Sequence, residues 1–174
     1  AFETQLDFFM EKLIRMHNAT IGAHGVMFPT ITASCFSQGC IEKGKVLQQK
    51  GSDHHYTTVS IASMANTIDS FAAIEECVFN KNYLTMGELV DLLDSNFEGK
   101  ENMRQMLINK APKFGNNIEQ VDKYGYYVVN TIDDSLHRFK DAHGGQWTSL
   151  HATVVYNVEM GKKVGALPDG RLAH

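Results

Sequence analysis

The segment GALPDGRLAH, at residues 165–174, contains several turn-forming residues close together. Pro168 restricts its own backbone, the Asp169 side chain bonds readily to nearby backbone groups, and Gly170 adopts conformations that other residues resist. Arg171 follows with a fork of donors that suits carbonyl or carboxylate groups. The sequence begins without Met, within a helical pattern, and ends soon after this turn. We therefore expect the chain to be an internal piece of a longer protein, truncated at both ends.

The composition is that of a soluble globular protein. Hydrophobic residues make up 43% of the 174 residues and charged residues 21%, both ordinary values. The formal net charge of −4 gives no reason to expect nucleic acid or an anionic membrane as a partner. No apolar run approaches the roughly 18 residues of a membrane span, and the N-terminus does not resemble a secretory signal. We expect a cytoplasmic protein.

The cysteines favour a reducing compartment. Cys35, Cys40 and Cys77 are odd in number and have no CxxC spacing, which argues against a disulfide framework or a structural zinc. Cys35 and Cys40 stand in apolar surroundings, and we interpret them as small buried hydrophobic residues. The alternative, that one is a nucleophile, lacks a neighbour that would lower its pKa.

The first 60 residues divide into a helix and a loop-rich part. Residues 2–18 place apolar side chains on one helical face, namely Phe2, Leu6, Phe9, Leu13 and Met16. Residues 19–60 mix Gly, Ser and Thr with short β-branched runs such as 30–32 and 59–61, which predicts loops with short extended pieces.

Helices are predicted again from about residue 62. Thr85 and Glu88 fit a capping box, and a further helix is expected over 101–109. Asn116 and Glu119 suggest a second capping box, which would open a long helix that ends at residues 143–145.

The segment after that helix predicts a strand over 148–158. It is rich in Thr, Val, Tyr and Trp. Alternation would place His151, Thr153, Val155 and Asn157 on one face of the strand. His151 could act as an acid or base in a pocket, or it could be a core histidine bonded to a backbone carbonyl.

A metal site is one interpretation of residues 52–55. Asp53, His54 and His55 are suitable ligand types, with His24, His143 or His151 as a third ligand. Adjacent residues rarely point the same way, however, so a solvated loop with local hydrogen bonds is the favoured interpretation. We expect no metal.

Several segments, in a consistent order, are similar to segments of the glycyl radical enzymes. This is the pyruvate formate-lyase superfamily, with its dehydratase, decarboxylase and lyase branches. The terminal GALPDGR resembles the family's TGAxPDGRxAG segment. GCIEKGK (39–45) resembles the family's CIExGxD segment, and ANTIDSFAAIEECVFN (65–80) resembles its GxANxxDSLAAIKKLVFE helix. The longest match is TMGELVDLLDSNFEGKENMRQMLINKAPKFGNNIEQVD (85–122), which resembles the family's run ending in APKYGNDxxxVD.

The resemblance implies an α/β fold dominated by helices, in which residues 1–174 are one segment of a ten-stranded α/β barrel built from two half-sheets. In that family a Cys loop forms a thiyl radical, and a Gly loop near the C-terminus stores the radical. The thiyl abstracts hydrogen from a small organic substrate, under anaerobic conditions, and a C–C, C–N, C–O or C–S bond is cleaved. We expect the Cys loop before Ala1 and the Gly loop after Arg171, so no catalytic residue is assigned within this chain.

The resemblance also implies partners and a substrate contact. We expect no cofactor bound to the chain, a radical installed by a separate radical S-adenosylmethionine activase with an iron–sulfur cluster, and a homodimeric full-length protein. The strand before the PDGR turn contributes a substrate-contacting side chain in some members, near Ala152. His151 or Thr153 would take that place if the register differs by one. Pro168, Asp169, Gly170 and Arg171 are expected to form a structural loop.

Three hypotheses follow. The first is part of a glycyl radical lyase, dehydratase or formate acetyltransferase-like enzyme, itself inactive as a fragment. The second is a non-catalytic helical interaction module derived from the same barrel. The third is a metal-dependent enzyme that uses Asp53, His54 and His55.

Overall fold

The chain is an α/β protein dominated by helices, as the sequence predicts. We describe residues 1–152 and 157–174 of a computed structural model. The elements follow in this order: α1 Phe2–Met27, α2 Ile31–Cys35, α3 Cys40–Lys43, a 3₁₀ turn Leu47–Gln49, β1 Thr57–Ile61, α4 Met64–Ala73, a π-helix Ile74–Asn80, α5 Met86–Asp94, α6 Glu101–Lys110, α7 Glu119–His137, β2 Trp147–His151 and α8 Asn157–Gly161.

Two compact units divide these elements. The first unit contains residues 1–60 and 130–150, and the second contains residues 61–129 and 151–174. β1 and β2 form a two-stranded sheet. The Thr148 hydroxyl donates to the Thr57 carbonyl, and the Ala152 amide donates to the Ile61 carbonyl. These bonds advance in the same direction along both strands, so the strands run parallel.

The first helix is longer than predicted. α1 continues to Met27, although residues from 19 onward were expected to form loops. Gly25 lies in this helix against the 3₁₀ turn: a Cβ there would be in van der Waals contact with the Gln48 side chain, 3.4 Å away. The buried residues of α1 are Met10, Ile14 and Gly25, whereas Phe9 and Met16 of the predicted apolar face are 63% and 64% exposed.

The prediction of loops was also wrong for residues 31–35 and 40–43, which form α2 and α3. Residues 31 and 32 open α2 instead of extending, because local side-chain bonds support the helical turn. Gln48 donates to the Thr30 hydroxyl over 2.8 Å, and the Ser34 hydroxyl donates to the Thr30 carbonyl over 2.7 Å. Cys40 is buried, as predicted, but Cys35 is exposed, which contradicts its interpretation as a core residue. The predicted strand at 59–61 is confirmed within β1.

The second unit has its own core. Thr85 and Glu88 form the predicted capping box at the start of α5. A π-helix follows α4 directly, with the Lys81 amide donating to the Glu76 carbonyl five residues back, and it places Cys77 in the core. The buried residues of this core are Ala73, Cys77, Val78, Leu84, Leu89, Leu92, Phe97, Leu107 and Ala111.

Both predicted ends of the long helix require correction. Asn116 does not cap α7: its side chain donates to the Lys113 carbonyl, and the helix begins at Glu119. The helix ends at His137, not at residues 143–145. The buried carboxylate of Asp141 organises the turn that follows, since it accepts from the backbone amides of His143 and Gly145 over 2.8 and 2.7 Å.

The predicted strand over 148–158 is confirmed only in its first part. β2 ends at His151, and Val158 belongs to α8. Thr153 and Val155 lie outside the described residues. His151 is exposed at the end of β2, so the prediction of a core histidine was wrong. Among the helices in residues 1–152 and 157–174, none combines the length and hydropathy needed to cross a membrane.

Candidate functional site

A cavity of about 530 Å³ lies within the second unit. Its walls come from the residues after β1, the start of α4, the end of β2 and the segment that leads into the PDGR turn. Phe114 is positioned by its backbone amide, which donates to the Asp69 carboxylate over 2.7 Å. The lining residues are Ile61, Ala62, Ser63, Met64, Ala65, Asn66, Phe114, His151, Ala152, Met160, Gly161, Val164, Leu167 and Arg171.

Two of the three predicted substrate contacts lie in this lining. His151 and Ala152 stand where β2 ends, and the Ala152 amide donates to the Ile61 carbonyl over 3.3 Å. The small side chain of Ala152 leaves the cavity open at this point, and His151 adds an imidazole at its edge. Thr153, the third predicted contact, lies outside the described residues.

The PDGR segment forms a closed turn. The Gly170 amide donates to the Leu167 carbonyl and the Leu167 amide to the Arg171 carbonyl, each over 3.0 Å. Pro168 therefore occupies the second position of a β-turn, which its restricted backbone favours. Gly170 has φ +93°, in the region where other residues are strained. The Asp169 carboxylate accepts from the Arg171 amide over 2.9 Å.

Three side chains from distant parts of the second unit hold this turn. The Asn66 amide group donates to the Asp169 carboxylate over 2.7 Å, and Lys113 donates to the Asp169 carbonyl over 3.2 Å. Arg104 donates to the Gly170 carbonyl over 3.0 Å. No local sequence pattern predicts these roles, although Asn66, Arg104 and Lys113 all lie in residues 65–80 and 85–122, which resemble the family. The segments that are far apart in sequence therefore meet at one turn.

An ion pair orients Arg104 for this contact. Glu101 accepts from Arg104 over 2.7 and 2.8 Å. Hydrogen bonds from Arg104 and then Gln105 lower the pKa of Glu101 to about 2, so Glu101 is ionised at neutral pH.

Arg171 is one of the cavity-lining residues, and its guanidinium group makes two hydrogen bonds to backbone carbonyls. It donates to the Gly161 carbonyl over 3.0 Å and to the Gly165 carbonyl over 3.4 Å. These bonds connect the end of α8 to the PDGR turn. The side chain is half-buried.

The alternative interpretation of residues 53–55 as metal ligands is not supported, because these side chains do not come together. Asp53 forms an ion pair with Lys43 over 2.6 Å, and His54 is exposed. His55 instead turns to Asp141, 3.6 Å away, and to the ring of His143. Across residues 1–152 and 157–174 there is no group of three or more His, Cys, Asp or Glu that could hold a metal ion.

Burial lowers the pKa of His55, and the neighbouring His143 lowers it further, against the opposing influence of Asp141. The pKa of Asp141 also lies below its usual range. Its burial raises the pKa, but the hydrogen bonds from Thr57, Gly145 and His143 outweigh that effect. This cluster therefore holds an ionised carboxylate that organises a turn.

The fold and this cavity define a helix-rich segment of an α/β protein whose PDGR turn is held by three side chains. Comparison with known proteins identifies the family: the model of pyruvate formate lyase-like proteins matches residues 1–161, and the chain belongs to that family. This agrees with the resemblance found in the sequence.

Individual relatives match almost the whole chain. Trans-4-hydroxy-L-proline dehydratase of Clostridioides difficile is 28% identical over 99% of the chain and 22% of its own length. A solved structure concerned with 1,2-propanediol dehydration in Roseburia inulinivorans is 31% identical, with a TM-score of 0.90 over 99% of this chain and 23% of that one. A glycyl radical enzyme from Archaeoglobus fulgidus is 26% identical, with a TM-score of 0.87 over 98% and 22%. The chain thus spans about a fifth of the length of these relatives.

Proposed function

We propose that this chain is part of a glycyl radical enzyme of the dehydratase and lyase type, acting on a small organic substrate under anaerobic conditions. The observation that carries the proposal is the structural match at TM-score 0.90 to 99% of the chain. The reaction would cleave or eliminate at a C–C, C–N, C–O or C–S bond. The relatives are much longer, so the activity is proposed for a polypeptide that contains this segment together with the radical-bearing loops.

The contribution of this segment is to bind and orient the substrate. The cavity wall is mostly apolar, with Met64, Phe114 and Val164 among its residues, and such a wall excludes water from a bound molecule. His151 and Ala152 would contact the substrate, and Thr153 remains a predicted contact. The radical loops, when present, supply hydrogen abstraction.

The cysteines of this chain have no catalytic role in the proposal. Cys40 and Cys77 are 3% and 0% exposed, and burial raises the pKa of the Cys77 thiol. A thiol with a raised pKa is a poor source of a reactive sulfur. The iron–sulfur cluster is expected on a separate radical S-adenosylmethionine activase. We also propose a cytoplasmic location and a homodimeric full-length enzyme.

The test is to express the complete reading frame with its activase under anaerobic conditions and to record the electron paramagnetic resonance spectrum. We expect a glycyl radical signal that requires the activase and S-adenosylmethionine, and substrate turnover that follows the signal. The 174-residue chain, treated identically, is the control and is expected to show neither. A complete protein without radical or turnover would favour the non-catalytic interaction module instead.

A second experiment addresses the cavity. Ala152→Trp should fill part of its volume and raise KM for the substrate by tenfold or more. Ala19→Trp, on the exposed surface of α1, is the matched control and should leave KM unchanged. Equal KM values for the two variants would show that the substrate does not enter this cavity.

A further inference from the structure

The described lining of the cavity in the second unit includes a cationic side chain and no carboxylate. Among its described lining residues, Arg171 is the one with a permanent positive charge, and none is Asp or Glu. A cavity with this charge distribution favours an anion over a neutral or cationic molecule.

The charge of Arg171 is not neutralised by an ion pair with any carboxylate in the described part of the chain. Its side-chain acceptors are the carbonyls of Gly161 and Gly165. A guanidinium has five N–H donors, so these two bonds leave donors over. A half-buried charge without a counter-charge is costly, and an anionic ligand would reduce that cost.

The rest of the cavity suits a short carbon skeleton. Its volume of about 530 Å³ lies in the range of small-molecule sites. Ile61, Met160 and Leu167 provide apolar surface, and Ser63, whose side chain makes no capping bond to α4, provides a hydroxyl.

We propose that this cavity binds a small aliphatic oxyanion, a carboxylate or a sulfonate, with its charged group at Arg171 and its carbon skeleton against the apolar wall. The inference rests on the proposed function, because it names the class of substrate for the same cavity. Arg171 is thus a specificity-determining residue as well as part of a turn. Arginine suits this task because its planar fork matches the oxygens of such groups.

The test is titration of the 174-residue chain with four probes, followed by backbone NMR shifts and calorimetry. The probes are propionate, ethanesulfonate, 1-propanol and 1,2-propanediol. We expect both anions to bind at least tenfold more tightly than the neutral alcohols, as a charge-assisted hydrogen bond allows, with shifts at Ser63, His151 and Arg171. Equal affinities for anions and alcohols in the wild-type chain would overturn the inference without any variant.

The variants locate the charge that is responsible. Arg171→Gln should remove the preference for the anions, and Arg171→Lys should retain part of it. Arg15→Gln is the control, since Arg15 is 73% exposed and paired with Glu11 on α1. An unchanged preference in Arg171→Gln would also overturn the inference. Arg171 also supports the turn, so its replacement could change the structure as well as the charge. Arg171→Lys loses the same turn contacts but keeps the positive charge, and comparison of its NMR spectrum with that of Arg171→Gln separates loss of charge from loss of structure.

The failure of this inference differs from the failure of the proposed function. If the alcohols bind as well as the anions, and Ala152→Trp blocks both, the cavity is a binding site but does not select anions. If the complete protein forms no radical, the proposed function fails whichever probe binds.

Discussion

Replacing Gly170 by Ala should destabilise the second unit by about 3 kcal/mol. Gly170 has φ +93°, and placing a side chain in that region costs about 1 kcal/mol. The new Cβ would also overlap Cγ1 of Ile108 and lie 3.3 Å from the Arg104 carbonyl oxygen. Overpacking of this kind costs about 2 kcal/mol. The two contributions add because one is a backbone preference and the other a steric contact.

The measurement is urea unfolding of the 174-residue chain, followed by circular dichroism and by the fluorescence of Tyr in the second unit. Gly87→Ala is the matched control in the same unit: its Cβ would meet nothing nearer than the Thr85 hydroxyl at 4.0 Å. In a helix this change should be neutral or stabilising by up to about 1 kcal/mol.

A double mutant separates the two contributions. Ile108→Ala removes the overlapped atoms, so Gly170→Ala should cost about 2 kcal/mol less in that background than in the wild type. The reasoning is refuted if Gly170→Ala unfolds at the same urea concentration as Gly87→Ala. It is equally refuted if the two substitutions at residues 108 and 170 are additive.

Three further changes have defined outcomes. Thr85→Ala should destabilise the chain by about 1 kcal/mol through loss of the cap on α5, measured by urea unfolding, whereas Thr20→Ala on exposed α1 should have a smaller effect. The pKa of Asp141 in the folded chain is below its usual range, so the ionised carboxylate stabilises the fold above about pH 4, and this stabilisation is lost as the pH falls further. Asp141→Asn should therefore make the melting temperature depend less on pH in the acid range. An unchanged pH profile in this variant would contradict the prediction. A thiol reagent should modify Cys35 rapidly and Cys77 only on unfolding, and equal rates would show that Cys77 is accessible.

The sequence predicted the second unit better than the first, for a physical reason. Its helices carry local signals, such as the Thr85 and Glu88 capping box, that act within four residues. Residues 19–43 carry no such signal: Thr30, just before α2, is bonded to Gln48, 18 residues further along the chain, and Gly25 of α1 lies against the 3₁₀ turn. Nor does composition reveal that Val158, predicted as the end of the strand, lies in α8.

The PDGR turn shows where a family resemblance and local reasoning complement each other. Local chemistry predicts the positive φ of Gly170 but not what holds the turn in place. Its three anchors, Asn66, Arg104 and Lys113, come from positions that are 103, 66 and 56 residues away from their partners. No periodicity or spacing can connect residues so far apart, whereas a set of segments retained together in one order does point to a shared contact.

The three anchors also lead to a prediction. Weakening any one of them should displace the turn that carries Arg171, and with it the positive charge of the cavity. Arg104→Gln should therefore weaken propionate binding, although Arg104 is not among the described lining residues of the cavity. Lys12→Gln on α1 should leave propionate binding unchanged. Unchanged binding in Arg104→Gln would show that the turn holds Arg171 in place without this anchor.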